Sequence, residues 1–247
     1  MRITKRPDIQ LNREELLAAA ADWHFGSEVF PEFQERYRAL LPFLETQIDV
    51  AWEPDADRAA AEGRETSVTD QSSIGFRYME GQPAYCAVTL GAGIDRLQER
   101  CSDSGDMSGA YMLECLGCVL LQKAYDIVDE LLRENTGLYV QRYVFPGDGE
   151  LPLSDNGRIL RRIREAGDAR EAGRSSDSVR VGKSTGEERN PNSPAVFCNE
   201  SYVLMPQKSA VFVAVLGADR TDRHLCDACP SLTCPNRKTG RKLPDLS

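Results

Sequence analysis

Three cysteines and a histidine crowd the end of the chain: His224, Cys226, Cys229 and Cys234. The Cys-x2-Cys-x4-Cys spacing lets the thiolates converge on one soft centre, a zinc ion or an iron-sulfur cluster, and the proline after both Cys229 and Cys234 turns the backbone. The cysteines supply three ligands, so the fourth position is open or filled from elsewhere, with His224 and Cys198 further up the chain as candidates. Free thiols in a polar tail are the alternative, because only half of a two-pair zinc pattern is present. Cys115 and Cys118 form a Cys-x-x-Cys pair in an apolar stretch, where the neighbours favour core cysteines over a redox pair. Only His24 and His224 could serve as the base of a Ser-His or Cys-His hydrolase. His24 lies in Ala-Asp-Trp-His-Phe, a packed aromatic context, which argues against that chemistry.

Composition narrows the classes further. The 247 residues are 41% hydrophobic, enough for one large domain or two modest ones, and a net charge of -9 argues against a nucleic-acid surface, which would need a clustered basic face. No stretch reaches the roughly 18 to 20 apolar residues of a membrane span, and no apolar run follows the charged start. The expectation is a cytoplasmic protein whose partners are proteins or small molecules, with its eight cysteines as thiols or ligands.

Several elements must position such groups. Asn12 and Glu15 form a capping box that opens a helix to about Trp23, and a second helix is predicted from Pro31 to Ile48. Residues 53 to 69 are a charged, alanine-rich surface helix or connection. Ala84 to Leu90 reads as a strand, closed by Gly91-Ala-Gly93 before a helix from Ile94 to Arg100. That glycine turn lacks a full phosphate-binding fingerprint. Met112, Leu116, Leu120, Ile127 and Leu131 mark the buried stripe of a long helix from Asp106 to Glu134. A strand from Leu138 to Phe145, a turn at Pro146 to Gly149 and a basic helix from Asn156 to Ala166 follow. Residues 167 to 193 have almost nothing to bury and are expected to be a flexible insertion. Gly182-Lys183-Ser184 within them lacks both the opening glycine and the preceding strand of a P-loop. Ala195 to Cys198 and Ser209 to Leu216 complete an α+β pattern, an antiparallel sheet with long helices.

Five segments in order carry a resemblance. They are Ala87-Val-Thr-Leu-Gly91, Gly105-Asp106 at the head of the long helix, Arg142 through Pro146-Gly147 with Leu151-Pro-Leu153, Asn199-Glu-Ser-Tyr-Val-Leu-Met-Pro-Gln-Lys-Ser209, and the cysteine tail. Together, over about Leu16 to Arg237, the chain resembles free-standing relatives of the S-adenosylmethionine-binding activation domain of cobalamin-dependent methionine synthase. The organisation this implies is an N-terminal helical segment at 1-50, an activation-domain-like core at 51-220 and a metal-binding tail at 221-247.

The resemblance implies an accessory subunit for reductive reactivation of a corrinoid methyltransferase, presenting S-adenosylmethionine to cob(II)alamin on the partner. The partner would be a shortened methionine synthase or another corrinoid-binding methyltransferase, with a separate reductant protein. By position, Arg142 would clamp the ligand carboxylate, Pro146, Gly147 and Asp148 would form the turn that approaches it, and Glu200 with Ser201 would face its cationic end. Asp148 stands where the family usually has tyrosine, one extra residue separates Arg142 from Pro146, and Gln122 stands where relatives often have glutamate. The alternative readings are an iron-sulfur redox accessory and a zinc-stabilised, non-catalytic module that docks on a corrinoid protein.

Overall fold

The computed structural model describes residues 1–53, 81–148, 151–172, 195–220 and Cys234. Five strands form an antiparallel sheet: β1 (Arg2–Lys5), β2 (Gln47–Trp52), β3 (Gln82–Thr89), β4 (Tyr139–Val144) and β7 (Ser209–Gly217), in the spatial order β1-β2-β3-β7-β4. A two-stranded hairpin of β5 (Phe197–Cys198) and β6 (Leu204–Met205) stands beside it. The helices are α1 (Arg13–Asp22), α2 (Phe30–Leu40), α3 (Gly93–Asp103), α4 (Met107–Thr136) and α5 (Asp155–Ala172). This is the expected α+β arrangement.

Each face of the sheet is sealed by its own apolar cluster. Ile48, Val50, Cys86, Val88, Phe212 and Ala214 alternate along the strands toward α1 to α4. Ala51, Ala87, Val211, Val213 and Val215, the intervening positions, meet Ile159, Leu160 and Ile163 of α5. The capping box forms as expected, with the Asn12 side chain accepting from the Glu15 N–H and the Glu15 carboxylate accepting from the Asn12 N–H. Helix α4 begins at its Asp106 cap and stops at Gly137, whose φ of 73° closes the last turn. Along it Met112, Leu116, Leu120 and Leu131 are buried, and Ile127 packs at the margin.

Some boundaries differ from the expected ones. The second helix does not reach Ile48: it ends at Leu40, a 3-10 turn at Leu41–Phe43 follows, and Ile48 lies inside β2. Pro42 removes an amide donor and ends the helix, and β2 is buried on both faces, so its residues show no alternation to betray a strand. β1 was not anticipated either, so residues 1 to 52 contribute two sheet strands as well as helices. The buried Asp49 holds β1 in place by accepting hydrogen bonds from Arg2 (2.6 Å) and Thr4 (2.5 Å), and its other oxygen accepts from Gln47 (2.7 Å) of its own strand. The expected insertion begins too early at Gly167, since α5 continues to Ala172 on a run of alanine, arginine and glutamate. The strand expected from Ala195 shortens to Phe197–Cys198. The expected connection at 53 to 69, beyond its first residue, and the rest of the insertion to residue 193 lie outside the described residues.

Candidate functional site

Strand β4 is an edge strand, and its irregularity decides which way Arg142 faces. Val140 pairs with Leu216 and Arg142 with Val215, so Gln141 is an extra residue, a β-bulge. Directly paired residues share a face, and Val215 belongs to the cluster under α5. Without the bulge Arg142 would share the face of Val140, toward α4; with it, half-buried Arg142 joins Val144 on the α5 side. Gln141 donates instead to the carbonyls of Tyr139 (3.2 Å) and Asp219 (2.7 Å).

The chain leaves β4 through a turn at the head of α5. Pro146 bridges to Leu151, the Gly147 N–H donates to the Leu151 carbonyl at 2.8 Å, and the Asp148 N–H donates to Phe145 at 3.2 Å. Gly147 has a φ of 99°, and among the described residues a side chain there would meet only Leu153, at the ordinary contact distance of 3.6 Å. Asp155, fully buried, starts α5 and pairs with Arg158 at 2.9 Å. The Asn156 amide donates to the Tyr202 carbonyl at 3.0 Å, tying the β5–β6 loop to the same helical turn. The turn carrying Pro146, Gly147 and Asp148 is thus held on Leu151, in the segment that leads into α5, and the loop carrying Glu200 and Ser201 is tied to the first turn of α5. Leu153, Phe197, Tyr202 and Val203 leave large apolar surfaces exposed around it.

The segment Asn199 to Ser209 is a positioning device for most of its length. The Asn199 side chain accepts from the N–H groups of Ser201 (2.9 Å) and Val203 (3.0 Å), presenting Glu200 and Ser201 to solvent. A cis peptide joins Met205 to Pro206. The Gln207 N–H donates to Asp95 of α3 at 3.0 Å, and the Ser209 hydroxyl bonds Thr89 at 2.8 Å. Lys208, only 8% exposed, donates to Glu114 of α4, and Cys118 lies 3.6 Å from its ammonium. Burial raises the Glu114 pKa, but the hydrogen bonds from Lys208 and Gln98 overcome this and hold it below the usual carboxylate range. Burial likewise lifts the Cys118 thiol, against the opposing effect of Lys208. Gly117 is needed here, because a side chain on it would press the Lys208 stem at 2.9 Å. Sequence reasoning missed this Glu114–Lys208 pair, because Lys208 stands between Gln207 and Ser209 in a polar segment that gives no sign of burial.

The cysteine expectations divide. Cys115 is buried, with its thiol pushed up to about 12 by burial, which fits a core residue. Cys198 is half-buried against Gly157 of α5. His224, Cys226 and Cys229 lie outside the described residues; Cys234 is half-buried, and no cluster able to hold a metal ion occurs among the described residues. No helix among them is long and apolar enough to cross a membrane.

No protein-family model matches the chain, and no curated protein matches its sequence. The fold is similar to that of the MetH reactivation domain in its crystal structure bound to AdoHcy. The TM-score is 0.56 at 10% identity, with 91% of this chain and 81% of that one covered. What is shared at that identity is the fold.

Proposed function

We propose that the chain binds S-adenosylmethionine on the α5 side of the β4 edge and serves as an accessory subunit in reductive reactivation of a corrinoid methyltransferase. The observation that carries this reading is a reactivation-domain fold spanning nearly the whole chain, in the company of an arginine that a bulge turns to the α5 face on the strand leading into a glycine turn. Arg142 holds the methionyl carboxylate through its planar fork of donors. Gly147 lets the backbone approach the ligand where any side chain would stand in the way, and Asp148 sits beside it. Glu200, at the tip of the Asn199-braced loop with Ser201, faces the cationic end. The exposed Leu153 and Tyr202 offer an apolar surface to the flat adenosine part.

The sulfonium of S-adenosylmethionine supplies an electrophilic methyl group, and an external reductant supplies the electron that makes the partner's cobalt able to accept it. The chain's own contribution is to bind, orient and shield, which converts an encounter of two molecules into a positioned one. A corrinoid-binding methyltransferase or a shortened methionine synthase is the partner that this reading implies.

Calorimetry with S-adenosylmethionine and S-adenosylhomocysteine tests the reading. Both should bind, and Arg142→Ala should weaken them by about 1.5 to 3 kcal/mol, the range of a hydrogen bond to a charged group. Absence of heat at millimolar ligand with the folded chain would replace this reading with a non-catalytic docking module.

A further inference from the structure

Glu114 and Cys118 stand one helical turn apart on the same face of α4, and Lys208 reaches both from the segment that leads into β7. Its ammonium donates to the Glu114 carboxylate and lies 3.6 Å from the Cys118 sulfur, which is itself 3.8 Å from that carboxylate. Thiol, amine and carboxylate therefore close a triangle. The ion pair is complete without the sulfur, so the thiol is the member whose presence asks for a reason.

The amine is held in place along its whole stem. Gly117 leaves the room it needs, since a side chain there would meet Lys208 at Cε (2.9 Å), Cδ (3.0 Å) and Cγ (3.2 Å). Gln98 of α3 fixes the other Glu114 oxygen at 2.9 Å. Little further freedom is lost when nitrogen and sulfur meet. No other cysteine among the described residues has a lysine nitrogen at hydrogen-bonding distance. Cys101 faces Arg36 instead, at 3.9 Å, and a guanidinium stays protonated and cannot act as a nucleophile. Cys86, Cys101 and Cys115 are buried, whereas Cys118 is half-buried and within reach of a small oxidant.

We propose that Cys118 and Lys208 form an oxidative modification site, in which a peroxide converts the thiol to a sulfenic acid and the lysine amine captures it as a sulfenamide. In the first step the Cys118 sulfur attacks hydrogen peroxide and the O–O bond breaks. Sulfur gives up two electrons and gains a hydroxyl, and the thiol proton leaves with the second oxygen as water. In the second step the Lys208 ammonium passes a proton to Glu114 and the freed amine attacks the sulfur. The S–N bond forms, the S–O bond breaks, and the hydroxyl leaves as water with the proton from Glu114. The surplus proton on nitrogen passes to solvent by way of the same carboxylate. This step needs no second oxidant, because sulfur keeps the same oxidation level in both species. Burial keeps Cys118 a thiol at rest, so the site stays reduced until peroxide is in excess. The product ties α4 covalently to the segment that carries the Asn199 loop, and a thiol reductant reopens it.

Peptide mapping by mass spectrometry on the full chain, before and after hydrogen peroxide, tests the proposal. Oxidation should join the Cys118 peptide to one in which trypsin no longer cuts after Lys208, at a mass about 2 Da below the sum of the two. Fragmentation should place the link on Cys118, and dithiothreitol should remove it. Cys118→Ser should lose the link. Lys208→Arg keeps a cation for Glu114 but offers no amine, so at the same peroxide dose its Cys118 should pass on to the sulfinic acid. A wild-type Cys118 that goes to the sulfinic acid without the link, that pairs with another cysteine, or that stays a thiol while the half-buried Cys198 is oxidised would overturn the proposal.

Discussion

Replacing Lys208 by methionine isolates the charge that ties the candidate loop to α4. Methionine keeps an unbranched stem over Gly117 and removes only the ammonium, so packing changes little. Glu114 would then keep the Gln98 amide at 2.9 Å and its solvent, since its side chain is 41% exposed against 10% for Lys208. The penalty is therefore that of a charged hydrogen bond, about 2 kcal/mol, below the roughly 3 to 5 of a fully buried broken pair. For a chain of this size that lowers the melting temperature by about 4 to 8 °C. The pH dependence gives a sharper check. Glu114 has its folded pKa depressed, so the stability it contributes is present above its ordinary value and lost as pH falls through the folded one. The Lys208→Met penalty should be full at neutral pH and shrink in acid, and Glu114→Gln should mask it. Thermal melts by circular dichroism at several pH values supply the data. A variant that melts with the wild type at neutral pH, or a deficit that persists unchanged near about pH 3, would refute the reasoning.

Burial pushes Asp129 up to about 6, against the hydrogen bond it receives from Tyr143, so the folded state binds a proton the unfolded state releases. Stability should fall as pH rises from about 4 to about 6, and Asp129→Asn should flatten that profile in melting curves and stabilise the neutral-pH protein by about 2 kcal/mol. Asn12→Ala removes the capping box and should cost about 1 kcal/mol, read as a lowered denaturant midpoint with an unchanged slope. Gly93→Ala drives a side chain into the Phe43 carbonyl at the start of α3, where no flexible group can yield. It should destabilise by about 2 kcal/mol or more in the same assay, and wild-type stability would refute the close contact between the 3-10 turn at Leu41–Phe43 and the start of α3.

Elements specified by neighbouring residues were legible in the chain itself. The Asn12 and Glu15 cap and the long apolar stripe of α4 with Asp106 before it rest on interactions within a few positions, and β3 and β7 show themselves as short apolar, β-branched runs even though they pair at long range. β1 and β2 were not legible, because their identity lies in pairing across about fifty residues, and burial on both sides erased the alternation in β2. The end of α5 differs from the expected one because a polar helix and a polar loop have much the same composition.

The candidate site divides along the same line. The sequence by itself determined which groups were available: an arginine before a proline-glycine turn, a Glu-Ser pair in a polar loop, and cysteines at ligand spacing. Tertiary structure alone decided where they point. The bulge at Gln141 exists only as a mismatch with β7, and it turns Arg142 to the α5 face. Glu114 and Lys208 meet across 94 positions because two elements pack side by side. Types and spacing are one-dimensional properties, whereas facing and charge pairing depend on register and burial, which exist only once distant strands and helices have closed on one another.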